Sequence, residues 1–365
     1  GPRSPWSQAA AAPSAPPLPG EAGNPLTGPE RLGPRAAAAT ALGLLLLARP
    51  ELQAEVARDR SGAAWEVLVE TLQGRLPDAT IENEDTPSTI QFRGCSAFCI
   101  SSIIRHNKEL QETLGKRELV LENLLSFLSP EWCRKPFGAQ LSTQAARTLA
   151  EITHDAVAVR DRISMLGGVK VLLEVLDRYK SKSVDAADCT IYGLQALEHL
   201  MDACLPAQND LVHLGGLESL ATILDGQEGI GICTVRAAAA RVVYCLLSQR
   251  RDFRDASEVV IPSLVSLVEV GDTEEKRAAV AALQEATRRH PANAARAAAA
   301  GGLPFLVALL RLGDAHARAQ AALQVSILCK GDRTAVEQLV VGGGVAPLVS
   351  LLSVPGEGPQ AEGPA

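Results

Sequence analysis

The sequence predicts an all-α protein built as a right-handed α-solenoid of about seven three-helix units. Three observations carry this. "GGLPFLVALL" at 301–310 is nearly rewritten as "GGVAPLVSLL" at 343–352. Weaker copies run back along the chain, the last apolar residue of each being Leu72, Leu128, Leu176, Leu224, Val268, Leu310 and Leu352, at spacings of 56, 48, 48, 44, 42 and 42. A period of about 40–47 residues belongs to two- or three-helix repeats that bury their apolar faces against their neighbours. The composition agrees: 47% hydrophobic, 3% aromatic and 21% charged residues describe a helix-rich globular chain and not a disordered one.

The elements follow in chain order. Residues 1–35, rich in Pro, Gly and Ala, are expected to be a disordered leader, and 354–365 a matching tail. The solenoid is expected over 36–353. It opens with "AAAATALGLLLLA" (36–48), 13 residues, too short for the roughly 20 of a membrane span and read as a buried helix. This segment resembles the third helix of a unit without its first two, whereas the chain stops after Leu352 on a second helix. Either partial repeats cap the array or the chain is cut from a longer solenoid.

The unit around 290–330 shows the internal punctuation. Pro291 is expected to open a short helix, Gly301 and Gly302 to end it, and Pro304 to start a second, because Gly accepts the left-handed cap and Pro the first helical turn. Gly313 and Asp314 then precede a third helix at roughly 315–330. Three loops are longer than the rest: the acidic "IENEDTP" (81–87), "SPEWCRKPFGAQLST" (129–143) and "DRYKSKSVDAAD" (177–188).

Charge and cysteine usage narrow the function. A net charge of −7 argues against a broad nucleic-acid footprint, which needs an excess of cations on one face. The eight cysteines lack the short paired spacings of a zinc site or a secreted framework, which points to a reducing compartment, cytoplasmic and/or nuclear. No membrane association and no small-molecule substrate are expected.

The glycine pair, the "LPFLVALL" or "VAPLVSLL" helix, the Gly or Asp turn and the Ala-rich third helix near a 42-residue period together resemble the armadillo repeat. The likeness is strongest over about 290–352 and weakest before 155. HEAT repeats pair two helices and do not call for the short glycine-terminated one.

In that family the third helices line a concave groove that holds extended peptide. Import receptors of the importin-α kind grip it with an Asn and Trp ladder. Aligned on the third helices, the Asn-equivalent rung here falls on Ser102, Glu151, His199, Cys245, Glu285 and Val325, and none is Asn. The tryptophans, at 6, 65 and 132, lie off that ladder, so transport of nuclear-localisation signals is not implied. One turn earlier come Arg147, Gln195 and Arg241, a mixture unlike the strongly basic groove of β-catenin. The long loops offer a second surface through Trp132, Phe137 and Tyr179, with Trp132 either exposed as a binding hot spot or folded back onto the core.

No catalytic constellation appears. His106, His154 and His290 follow third helices at equivalent repeat positions, about one helix layer of 8–10 Å apart, too far for a shared metal. Cys95 and Cys99 share a helix face but have no partner ligands and read as core. "DGQEGIGIC" (225–233) matches neither phosphate- nor dinucleotide-binding motif and reads as a turn. No metal, cofactor or enzyme activity is expected. The resemblance implies a protein-binding scaffold or adaptor. Its functional relatives include exchange factors that clasp an Hsp70 nucleotide-binding domain and the substrate-binding part of U-box ubiquitin ligases.

Overall fold

Side-chain caps or first-turn prolines mark several of the helix starts. The computed structural model describes residues 33–49, 52, 56, 63–73, 85–178, 184–226, 231–288, 290–312, 315–329 and 333–353. The expectations for the leader up to residue 32 and for the tail from 354 lie outside these.

The chain opens on α1 (Pro34–Ala48), a third helix by its place in the array, and the first unit follows with its second helix α2 (Ala63–Leu72) and third helix α3 (Pro87–Ile104). Proline stands in the first turn of α1 and α3, and the Thr86 hydroxyl caps α3 by accepting from Thr89 N at 3.3 Å. The second holds α4 (Lys108–Gly115), capped by Asn107, then α5 (Glu118–Ser126), the short α6 (Pro130–Cys133) and α7 (Gly138–Asp155). Next come α8 (Val157–Met165), α9 (Gly168–Arg178) and α10 (Val184–Met201), and after them α11 (Leu205–His213), α12 (Gly216–Leu224) and α13 (Ile232–Gln249).

The following unit replaces its first helix by two 3₁₀ turns, Arg251–Arg254 and Ala256–Val260. Then come α14 (Ile261–Val270) and α15 (Thr273–Thr287). Asp272 and Glu275 form a capping box on α15, each carboxylate accepting the other's backbone N–H at 2.9 and 2.6 Å. The last elements are α16 (Pro291–Leu312), α17 (Ala315–Leu328), α18 (Arg333–Val341) and α19 (Val345–Ser353). The described residues form nineteen helices and no strand, an all-α solenoid as expected.

Equivalent helices of successive units pack on one another. The third helices form a row running α1, α3, α7, α10, α13, α15, and the second helices a row running α9, α12, α14, α16. Core residues are mostly Leu, Ile, Val and Ala, small enough to let helices approach closely. The repeat register is correct in depth: Leu72, Leu128, Leu176, Leu224, Val268 and Leu310 are all buried. Leu352 alone of the seven is exposed, at 87%, together with Val345 and Val349 of α19, because no third helix covers that face among the described residues.

The glycine pairs work as caps in three units, and each member has its own reason. Gly215 has φ +73°, a left-handed conformation that L side chains disfavour, and a Cβ there would meet only Glu218 Oε2 at 3.6 Å, an ordinary van der Waals distance. A Cβ on Gly216 would stand 2.6 Å from the carbonyl oxygen of Leu211. Gly167 and Gly343 repeat the positive φ. The fourth pair departs from expectation: Gly301, Gly302 and Pro304 lie inside the continuous 22-residue α16, with neither a break nor a new start there. Proline supplies no N–H to the helix, so α16 continues across one missing i→i−4 bond, with Leu303, Leu306, Val307, Leu309 and Leu310 buried just beyond.

Candidate functional site

The long loops after α2 and α5 join through a single carboxylate. Asp85 accepts from Arg93 at 2.8 Å and from Lys135 at 2.6 Å, which ties the acidic loop to the aromatic one. Both cations hold its carboxyl below the ordinary range, against the opposing effect of burial. Trp132 is half-buried: its ring meets Phe127 edge-on at 5.0 Å, and Lys135 Nζ lies 3.9 Å from the ring centre. The fold-back alternative for Trp132 is therefore the one adopted. Phe137, with φ +61°, is half-buried against the core at the start of α7, where a Cβ on Gly138 would collide with the Trp132 carbonyl. Tyr179 lies outside the described residues.

The third-helix rung divides in two. Ser102 is fully buried and its hydroxyl donates to Phe98 O at 2.9 Å within α3; Cys245 and Val325 are core. Burial pushes the Cys245 thiol well up. Glu285 is buried between Arg254 at 3.6 Å and Arg288 at 3.2 Å. These four are packing residues, and the rung alignment misplaced them by treating a helix row as if its whole edge faced solvent. Third helices sandwiched between two others keep only a narrow strip free.

That strip carries the rest. Glu151, Gln195, His199 and Arg241 are half-buried. Arg241 pairs with Glu198 at 3.0 Å, and Glu151 with Arg105 at 3.7 Å. Burial raises the Glu151 carboxyl despite Arg105 and Arg147 nearby. Arg147 is 7% exposed and sits with its guanidinium carbon 4.9 Å from the Phe98 ring centre and 5.9 Å from that of Tyr192. Burial also raises the Tyr192 hydroxyl. Around the ends of these helices, His106, His154 and His199 line up edge to face, with ring centres 6.1 and 5.0 Å apart. This is closer than the helix-layer spacing expected from sequence, because the imidazoles lean along the row. His290 stands apart from this row in its contacts, with Nε2 2.7 Å from Asp255.

One cluster escaped sequence reasoning. Ligand atoms of Cys233, Asp272 and Glu275 lie within 4.8 Å of one another. The Glu275 carboxylate is already engaged by Arg236 Nε at 2.6 Å and by the capping box. Loss of hydration first, then the Glu275 and Asp272 carboxylates, push the Cys233 thiol up, away from the thiolate a metal needs. Cys95 and Cys99 are fully buried, the latter's pKa pushed up to about 12 by loss of hydration, as core thiols should be. Helix α13 is the one described helix long and apolar enough to cross a membrane, and most of it is buried in the solenoid.

No known family profile matches the chain, and no curated protein matches its sequence. Solved structures do. An engineered protein from a structural genomics consortium matches with a TM-score of 0.63 at 24% identity, over 87% of this chain and 70% of its own. A designed armadillo repeat protein matches at 0.55 and 17% identity, over 70% of this chain and 98% of that one. A second designed armadillo repeat protein, solved in complex with the peptide (KR)4, matches at 0.53 and 17%, over 72% and 98%. With three helices per unit, rows of equivalent helices and these structural neighbours, the chain has an armadillo-type repeat fold.

Proposed function

We propose that the protein is a non-catalytic scaffold or adaptor that binds partner polypeptide along the partly exposed strip of its third helices. The observation that carries this is the run of polar and aromatic side chains across α3, α7 and α10: Arg105, Arg147, Glu151, Tyr192 and Gln195 on helices otherwise packed into the core. A rigid helix row presents such groups already ordered, so binding loses little further entropy. The (KR)4 complex of a designed neighbour supports the fold's capacity to hold peptide. This chain lacks the Asn ladder, so its partner chemistry is its own.

The reading involves proteins only, without cofactor, nucleic acid, membrane or small-molecule substrate. Five of the eight cysteines are buried free thiols, which supports a cytoplasmic and/or nuclear setting. The test is selection of short random peptides on the full chain, followed by binding to a variant carrying Glu151→Ala and Gln195→Ala with unchanged helicity. Selected peptides should weaken on the variant. Peptides that ignore these changes, or no enrichment at all, would overturn the assignment to this strip.

A further inference from the structure

The described residues include four buried arginines, and three of them are paired. Arg93 holds Asp85, Arg160 holds Asp202 and the carbonyls of Thr153, His154 and Asp202, and Arg254 holds Glu285. Arg147 is as buried as these, yet its described contacts are only the rings of Phe98 and Tyr192, and it makes neither a hydrogen bond nor an ion pair. A buried guanidinium with five donors and no acceptor is costly, and its fork geometry matches a carboxylate. Its nitrogens are not among the buried donors shut away from solvent, so the fork remains reachable.

The surroundings are built to hold it there. Phe98 is itself fixed against Gly43 of α1, where a Cβ would stand 2.6 Å from the ring, so the platform under Arg147 cannot turn aside easily. The Tyr192 ring centre lies 5.9 Å from the same guanidinium carbon, and its hydroxyl has no described hydrogen-bond partner. Glu151, the acid one turn on, is paired with Arg105 instead, and Asp188 on α10 acts on Tyr192. Of the two arginines here, Arg105 takes Glu151 in an ion pair and Arg147 takes none.

We infer that Arg147, framed by Phe98 and Tyr192, receives a carboxylate side chain of an acidic partner peptide lying across α3, α7 and α10. The inference rests on the strip being the binding face. It commits to Asp or Glu and not to the Lys and Arg that the (KR)4-binding neighbour takes. A bidentate guanidinium–carboxylate pair in a partly desolvated site is among the stronger polar contacts available.

The test selects short random peptides in parallel on the full wild-type chain and on Arg147→Gln, with helicity and Tm compared first. Peptides selected on wild type should carry an acid at one fixed position, absent from those selected on the variant. Changing that acid to Asn or Gln should weaken binding to wild type about tenfold and to Arg147→Gln hardly at all, the signature of a charge-assisted pair. Should Arg147→Gln fail to fold, Arg147→Lys retains the charge without the fork and should lose a few-fold, and Tyr192→Phe gives a second, milder reading. Enriched peptides without a fixed acid, or an equal loss on both chains, overturn the inference while leaving peptide binding intact. Displacement by inorganic phosphate but not by acetate at equal concentration would reassign the site to phosphate and also overturn it. No enrichment on wild type would sink the binding face itself.

Discussion

His199 Nδ1 lies 3.0 Å from the carbonyl oxygen of Ala150, one unit back along the third-helix row. A carbonyl only accepts, so this nitrogen carries the proton, a contact that by itself favours the charged ring, with Thr153 Oγ1 at 3.2 Å beside it. Loss of hydration first, then His154 and Arg160, drives the His199 pKa down from 6.5 to about 3.

That depression gives a pH dependence with a definite sign. The unfolded chain takes a proton on His199 below about pH 6.5 and the folded chain does not, so stability is full above 6.5 and falls as pH drops towards 3. The slope from this residue should approach but not exceed about 1.4 kcal/mol per pH unit. Urea unfolding at neutral pH and near pH 5 measures it, and His199→Gln should flatten the difference. An equal pH dependence in the variant would show that other groups dominate.

Gly215→Ala should destabilise by about 1–2 kcal/mol through its left-handed backbone alone. Gly301→Ala should do the reverse, gaining about 0.5–1 kcal/mol, because alanine is favoured over glycine inside a helix such as α16. Thermal unfolding of both variants reads the sign directly; destabilisation of both would restore a cap at Gly301.

Leu306→Ala and Leu352→Ala test burial at equivalent faces of the array. The first side chain is 2% exposed and should cost about 2–5 kcal/mol. The second is 87% exposed and should stay within about 0.5 kcal/mol. A large loss at Leu352 would mean that some segment covers α19.

Trp132→Ala should cost about 2 kcal/mol, below the range for a fully buried aromatic, since the ring is half-buried between Phe127 and Lys135. Chemical denaturation checks this, and a change under about 0.5 kcal/mol would return Trp132 to a free surface role.

The sequence by itself determined the architecture. Hydrophobic periodicity and the recurring "GG" and proline punctuation placed six of seven second-helix markers in the core, since local propensity and the repeat period act on nearby residues in one chain. It also named Arg147 and Glu151, which lie together on the third-helix strip proposed as the binding face. It did not separate strip from core at Ser102, Cys245, Glu285 and Val325, where burial depends on the neighbouring helix and not on the residue. Nor did it see that Gly301 and Pro304 would be carried through one long helix by the apolar face of α16.

What only the tertiary structure decided are the links between units. Arg160 reaches Asp202, Arg241 reaches Glu198 and His199 reaches Ala150 at separations of 42, 43 and 49 residues, roughly one repeat each. Stacking makes residues one period apart into neighbours, whereas which of them pair, and that Arg147 is left against two aromatic rings without an ion pair, depends on ångström-scale orientation between helices. A linear pattern encodes the period but not that orientation.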